Sequence, residues 1–303
     1  MPKNRIVEFD IIKGLGILMV VLQHANAPFS NFYSCFSVSL FYIIAGLLYK
    51  NTIFDNLSNF SYFLKKKFMR IALPFILINS LLLFSHNYLI NLNFYTTNPD
   101  FLNYEGSSFG LTHYYSIKEI LEQFILTITL VGKSQQLAGA TWFLKSFFYI
   151  TIIIAIYNNI SDKIFNILKW QNNKLHYLLF WGLSVLLYIF NGMLHLKILN
   201  IMLIGLFLYY FSFLYKDIII KMCKNLFFII LSTVFLMFLY VNKDFSASPQ
   251  SYTIFSIFAA ISGFVITFAL SNFILHFSQL SKLVSYIGQN TIPILCFHFL
   301  LYS

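Results

Sequence analysis

Long apolar runs separated by short polar segments set the pattern of this chain. They fall near Asp10–Phe29, Phe32–Tyr49, Ile71–Leu92, Thr141–Tyr157, Leu175–Leu194, Ile198–Tyr215, Leu226–Val241, Tyr252–Leu275 and Leu283–Tyr302. Most are about 16–22 residues long and continuous rather than alternating, which suits helices that cross a membrane and not the short alternating strands of a barrel. One further run, Ile120–Val131, has only about a dozen residues, with Glu119 and Glu122 at its front. It is short for a crossing and is expected to be re-entrant or interfacial. No period suggests repeats, and no Pro- or Ser-rich linker divides the chain, so residues 1–303 read as one transmembrane domain. The expected fold is all-α, with about nine transmembrane helices, one short re-entrant or interfacial helix and a cytoplasmic N-terminus.

Composition and charge sharpen this picture. The chain has 303 residues, 59% of them hydrophobic and 10% charged, too few charges for a soluble domain of this size. The first apolar run does not read as a cleavable signal, because acids interrupt its charged flank and no small-residue cleavage site follows. With nine crossings and the N-terminus inside, 14 of the 20 Lys and Arg residues fall in cytoplasmic segments and 4 in outer ones. That is a positive-inside bias, so the net charge of +10 reflects topology and not nucleic acid. Cys35, Cys223 and Cys296 lack pairing or metal spacing and read as packing residues. The outer loop Asn93–Lys118 carries Asp100, Glu105, His113, Tyr114 and Tyr115, which suits either sugar rings or a membrane-interface belt.

Candidate chemistry concentrates in the first run. In RIVEFDIIKGLGILMVVLQH, Lys13 and His24 are eleven residues apart, three helical turns and about 16 Å along one face, with Asp10 one turn before Lys13. An acid, a cation and an imidazole on one stripe of an apolar helix mark a functional site or a charged interfacial end, because each is costly in lipid. Lys65, Lys66, Lys67 and Arg70 precede Pro74 in FLKKKFMRIALPF. The cluster serves either as a stop-transfer signal or as an anion site at a helix start, where the heads of Lys67 and Arg70 converge on free backbone N–H groups. His86, His113, His176, His195 and His276 sit near run ends or in loops without metal spacing.

These residues resemble a family. Lys13, ten residues, then His24 is similar to the basic-x10-His signature of the acyltransferase-3 family, the bacterial integral-membrane O-acyltransferases of surface glycans. SVSLFYIIAGLLY resembles its second-span motif, with Leu40, Phe41 and Gly46 fitting and Ser39 and Ala45 departing. KFMRIALP is similar to its basic-x-x-Arg…Leu-Pro, with Lys67 for the first Arg, which keeps the charge but loses the bidentate fork. TWFLKSFF matches its Trp-Phe-Leu at Trp142, Phe143 and Leu144. YIGQNTIPILCFH resembles its closing motif at Gly288, Thr291 and His298. The five pieces stand in the family's order over nearly the whole chain.

The resemblance implies transfer of an acyl group, most often acetyl, from cytoplasmic acyl-CoA to a hydroxyl of a surface polysaccharide or its lipid-linked precursor, such as an O-antigen or exopolysaccharide. It implies a multi-pass protein of the inner (plasma) membrane. Acyl-CoA acts as co-substrate, no cofactor is bound permanently, and nucleic acid is not a partner. His24 is expected to be catalytic, as base or acyl carrier. Lys13, Lys67 and Arg70 would bind the donor. Asp10 would pair with Lys13 at the donor mouth, Trp142 would line or pack the cavity, and His298 would support the site or simply pack. The rival class is a non-enzymatic glycan flippase or transporter, which explains composition and topology but not the ordered motifs.

Overall fold

The computed structural model describes residues 6–50, 54, 56–95, 97, 112–167, 182, 197–242 and 254–301. All regular elements among them are helical. In chain order they are α1 (Val7–His24), α2 (Ser30–Ser34), α3 (Ser39–Leu47), α4 (Leu57–Lys67), a π-helical turn (Phe68–Ala72), α5 (Leu73–Phe84), α6 (His86–Asn91) and α7 (Ile117–Ile128). Then come a 3-10 turn (Gln136–Thr141), α8 (Trp142–Ile167), α9 (Lys197–Leu214), α10 (Lys216–Lys224), α11 (Leu226–Val241), α12 (Ile254–Leu275), α13 (Ser278–Gln289), α14 (Thr291–Phe297) and a closing 3-10 turn (His298–Leu301).

Among the described residues four stretches are long and apolar enough to cross a membrane: Ser30–Leu47, Leu57–Phe84, Gln136–Ser161 and Phe255–Leu275. Counting each of two bent helix pairs as one crossing raises the number to six. The expectation of nine is reached only by adding three more segments. Helix α1 has 18 residues but carries Glu8, Asp10 and Lys13 in its first half. Helix α11 has 16 residues, a rise of about 24 Å against a hydrocarbon core of about 30 Å. The run Leu175–Leu194 lies outside the described residues. Helix α7 has 12 residues and rises only about 18 Å, so it is too short to cross, as its sequence suggests.

Two prolines explain departures from straight helices. Pro293 lies in the first turn of α14; its ring has no N–H and would clash with the carbonyl of Gln289 if the helix ran on. The closing apolar run is accordingly not one helix. It breaks at Asn290, and the two arms meet at 67°. Pro74 stands in the same relation to Arg70, and there the chain widens into the π turn Phe68–Ala72 while keeping its direction.

Close crossings of small residues hold the bundle around α1. Helices α1 and α13 pack most extensively, and α12 closes on the same helix. A Cβ on Gly288 would overlap the carbonyl oxygen of Asp10, and one on Gly14 would overlap the carbonyl oxygen of Val284. Only glycine lets the two backbones touch, the usual device where lipid offers no hydrophobic gain from helix contact. Ile12, Ile17, Leu40, Ile43, Phe75, Tyr210 and Phe264 form the fully buried centre.

Outside the bundle, α7 is fixed at its start. Ser116 and Glu119 form a reciprocal capping box. His113 Nε2 lies 2.9 Å from Glu119 Oε1. Hydrogen bonding from His113, then from the Ser116 backbone N–H, pulls the Glu119 carboxyl down to about 2. Asn87 clamps the same segment, donating to the carbonyl of Tyr115 and accepting from its N–H, both at 2.8 Å.

Candidate active site

His24 is the last residue of α1. The chain reverses immediately after it, with Asn26 at φ 50° and Phe29 at φ 64°. Both are left-handed conformations that side chains other than glycine seldom adopt. The reversal folds α2 and the start of α3 back over the end of α1. A cavity of about 160 Å³ results, bordered by Gln23, His24, Ser34, Phe41, Trp142 and Phe143. His24 is half-buried in its wall.

The break at Asn290 brings a second imidazole to the same place. The ring centroids of His24 and His298 are 5.3 Å apart. Phe299 packs against both, at 4.5 Å from His24 and 4.4 Å from His298. His298 is buried, with Nδ1 3.1 Å from the carbonyl oxygens of Ile294 and Leu295. In the tautomer that donates from Nδ1 to these carbonyls, Nε2 is the basic nitrogen.

Trp142 opens α8, and a buried polar network fixes the turn before it. Asn79 Nδ2 donates to the carbonyl of Phe75 at 2.8 Å and to Thr141 Oγ1 at 3.0 Å, while Asn79 Oδ1 accepts from the Gln135 N–H at 2.6 Å. Thr141 Oγ1 donates to the carbonyl of Ala138 at 2.7 Å. This network closes a loop at bundle depth, where backbone groups must find partners inside the protein.

The structure thus gathers His24, Trp142 and His298 at one site. Asp10 and Lys13 form the expected pair, Lys13 Nζ donating to Asp10 Oδ1 at 2.5 Å, and Asp10 is buried. Lys13 stands about 16 Å and Asp10 about 21 Å from His24 along α1. Lys67 and Arg70 do not line the His24 cavity. Lys67 Nζ lies 5.4 Å over the ring of Phe63, and Arg70 is exposed on the π turn. The expected helix start at Lys67 and Arg70 is not there. The helix begins ten residues earlier, where Asn56 Oδ1 accepts from the Asn59 N–H at 2.9 Å, so at Lys67 and Arg70 the backbone N–H groups are already engaged.

Sequence reasoning missed Ser34 and Phe299. Ser34 lies inside the run Phe32–Tyr49 with nothing to set it apart from the other serines there, and Phe299 carried no sign either, being one of 37 phenylalanines.

The arrangement can do acid–base work. A half-buried imidazole faces a small chamber, a second imidazole is held beside it, and an indole and aromatic rings exclude water. Among the described residues no cluster of His, Cys, Asp and Glu is arranged to hold a metal ion. No curated protein and no solved structure matches the chain. The family model described as an acyltransferase domain, that of the acyltransferase-3 family, matches residues 6–303. The basic-x10-His helix, the Trp142 turn and the Gly288–His298 segment that build this site all fall inside that match, and the chain belongs to the acyltransferase-3 family of membrane acyltransferases.

Proposed function

We propose that this protein is an O-acyltransferase, in the first instance an O-acetyltransferase, of the inner (plasma) membrane. It takes the acyl group from cytoplasmic acyl-CoA and delivers it to a hydroxyl of a surface polysaccharide or its lipid-linked precursor. The observation that carries the reading is His24 in the wall of a cavity shared with Trp142, with His298 against its ring.

In the direct route His24 takes the proton of the acceptor hydroxyl, and the alkoxide oxygen attacks the thioester carbonyl. The tetrahedral intermediate collapses with cleavage of the C–S bond, and the coenzyme A thiolate recovers the proton from the imidazolium. In the two-step route the imidazole nitrogen attacks the thioester carbonyl and the C–S bond breaks, releasing the coenzyme A thiolate; the acceptor hydroxyl then takes the acyl group from the acyl-imidazolium, and its proton passes to the thiolate. Both routes need one imidazole with access to both substrates. Lys13 marks the donor end of α1, with Asp10 holding its ammonium in place. Lys67 at the end of α4 and Arg70 on the π turn offer charge to the coenzyme A phosphates.

The test is specific activity per folded protein, acetyl-CoA to crude lipid-linked glycan, for His24→Ala and His24→Gln. Removing the base costs about 10²–10⁴ in rate, so both variants lose transfer while remaining folded. Near-normal turnover in the Gln variant would show His24 to be a hydrogen-bonding residue and overturn the mechanism.

A further inference from the structure

A second chamber, of about 520 Å³, meets the first at Trp142, which lines both. Its walls carry two cations, Lys133 and Lys145, together with Gln135, Gln136 and Tyr149, and its lining holds no carboxylate. Trp142, Lys145, Ser146 and Tyr149 follow the helical spacing i, i+3, i+4, i+7 and form one stripe of α8 facing this space. The opposite wall is the loop around residue 135 that the Asn79 network fixes.

Lys145 is the unusual residue. Its side chain is 9% exposed. Lys145 Nζ donates to the carbonyl of Gly132 at 2.6 Å and lies 5.8 Å from the ring of Phe75. An ammonium carries three donors, and among the described residues no carboxylate pairs with it. A buried cation is retained at this depth when it has a charge to meet.

We propose that this chamber is the acceptor site, and that Lys145, with Lys133 at the more exposed edge, selects acceptors carrying an anionic group beside the sugar. The indole of Trp142 and the ring of Tyr149 offer faces to a pyranose, and the glutamine amides pair with its hydroxyls. The shared wall at Trp142 puts a sugar hydroxyl next to the His24 cavity. The anion is either the phosphate that joins a saccharide to its lipid or the carboxylate of an acidic sugar. This rests on the acyltransferase reading and adds to it the feature by which the acceptor is chosen.

The experiment uses the full chain in zwitterionic nanodiscs and three probes with the same tail: hexyl glucoside, hexyl glucuronide, and glucose joined to hexanol through a phosphodiester. Binding is followed by calorimetry, and acetyl transfer from acetyl-CoA to each probe is measured in parallel. A charged probe should bind roughly ten- to a hundredfold tighter than the neutral one, the strength of hydrogen bonds to a charged group. Preference for the phosphodiester identifies the lipid linkage, and preference for the glucuronide identifies an acidic sugar. Lys145→Gln should bring the charged probes down to the affinity of hexyl glucoside without changing the latter, and Lys118→Ala should change nothing. Lys133 is exposed, so Lys133→Ala folds even if Lys145→Gln does not, and it should reduce the charge preference in part. Equal binding of the three probes, or equal loss for all three in Lys133→Ala, overturns the proposal. Acetyl transfer without charge preference sinks this inference and leaves the acyltransferase reading standing. Charge-selective binding with no transfer to any probe leaves an anion-selective saccharide site in this chamber and overturns its role as the acceptor site.

Discussion

At the scale of single residues, the site is a pair of imidazoles held by different means. His24 ends a helix and faces a cavity, while His298 is anchored by Nδ1 to its own backbone and touches His24 through ring packing. That anchoring casts His298 as a positioning residue. His298→Ala should lower kcat by about tenfold, the order expected from loosening one member of a buried polar pair, with donor KM unchanged. A residue that only filled space would instead lower the yield of folded protein and leave turnover per molecule alone. Arg70 gives a contrasting prediction. If it meets a coenzyme A phosphate, Arg70→Ala should raise donor KM by roughly ten- to a hundredfold with kcat preserved, the loss of one charge-assisted contact. Unchanged KM together with altered topology would make the Lys65–Arg70 cluster a stop-transfer signal alone.

At the scale of elements, what was legible in the sequence was the part set by local spacing. The eleven-residue interval from Lys13 to His24 places both on one face of α1 without any knowledge of tertiary structure, and the Asp10–Lys13 pair follows from the same spacing. The short run before the Trp142 turn was readable as a helix of about a dozen residues, and it has 12. The meeting of His24 with His298 was not readable. It depends on a break within an apolar run that looks continuous in hydropathy, and its physical cause is a single Pro293 acting on Gln289. The helix start at Lys67 and Arg70 was misread for a related reason. The cap that starts that helix is Asn56, eleven residues upstream of Lys67. Gly288 was visible only as a motif position, and its role as the contact point with the Asp10 backbone needed the packed bundle. Gly288→Ala should therefore destabilise the protein by about 1–3 kcal/mol, as over-packing of a close crossing does. It should also reduce activity per folded molecule, because α13 leads through the short α14 to the turn that carries His298. Full activity in a destabilised variant would separate the crossing from the site. The start of α7 responds to pH. Its Glu119 carboxyl titrates below its ordinary value, so the stabilisation is complete above about 4.5 and is lost as the pH falls toward about 2. Exchange protection of the first turn of α7, taken relative to the intrinsic rate at each pH, should hold at pH 5 and fall only in strong acid, and in Glu119→Gln this fall should disappear.

At the scale of the whole molecule, topology decides whether the chemistry is possible. The proposed transfer from a cytoplasmic donor to an acceptor beyond the membrane would require His24 to sit between two faces, with Lys13 at one end of α1 and the Trp142 chambers toward the other. The alternatives differ in how many times the chain crosses. Length and apolarity alone support four to six crossings among the described residues. Nine are reached if α1 crosses despite its three charges, α11 crosses despite its 16 residues, and the run Leu175–Leu194 makes one more. Charge supplies an independent argument. With nine crossings and a cytoplasmic N-terminus, 14 of the 20 basic residues face the cytoplasm. Letting α7 cross as well would invert every later segment and carry the basic stretches around Lys169 and Lys221 to the outer face, against the positive-inside rule. Single cysteines, placed in a background lacking Cys35, Cys223 and Cys296, can be labelled from either side of sealed vesicles. Cysteine at Lys66 and at Lys169 should react only from the cytoplasmic side, and cysteine at Tyr104 only from the outer side. If Tyr104 and Lys169 label from the same side, the nine-crossing arrangement fails. The short helix α7 must then cross with help from its neighbours, and the face of the membrane from which each chamber is reached would have to be reassigned.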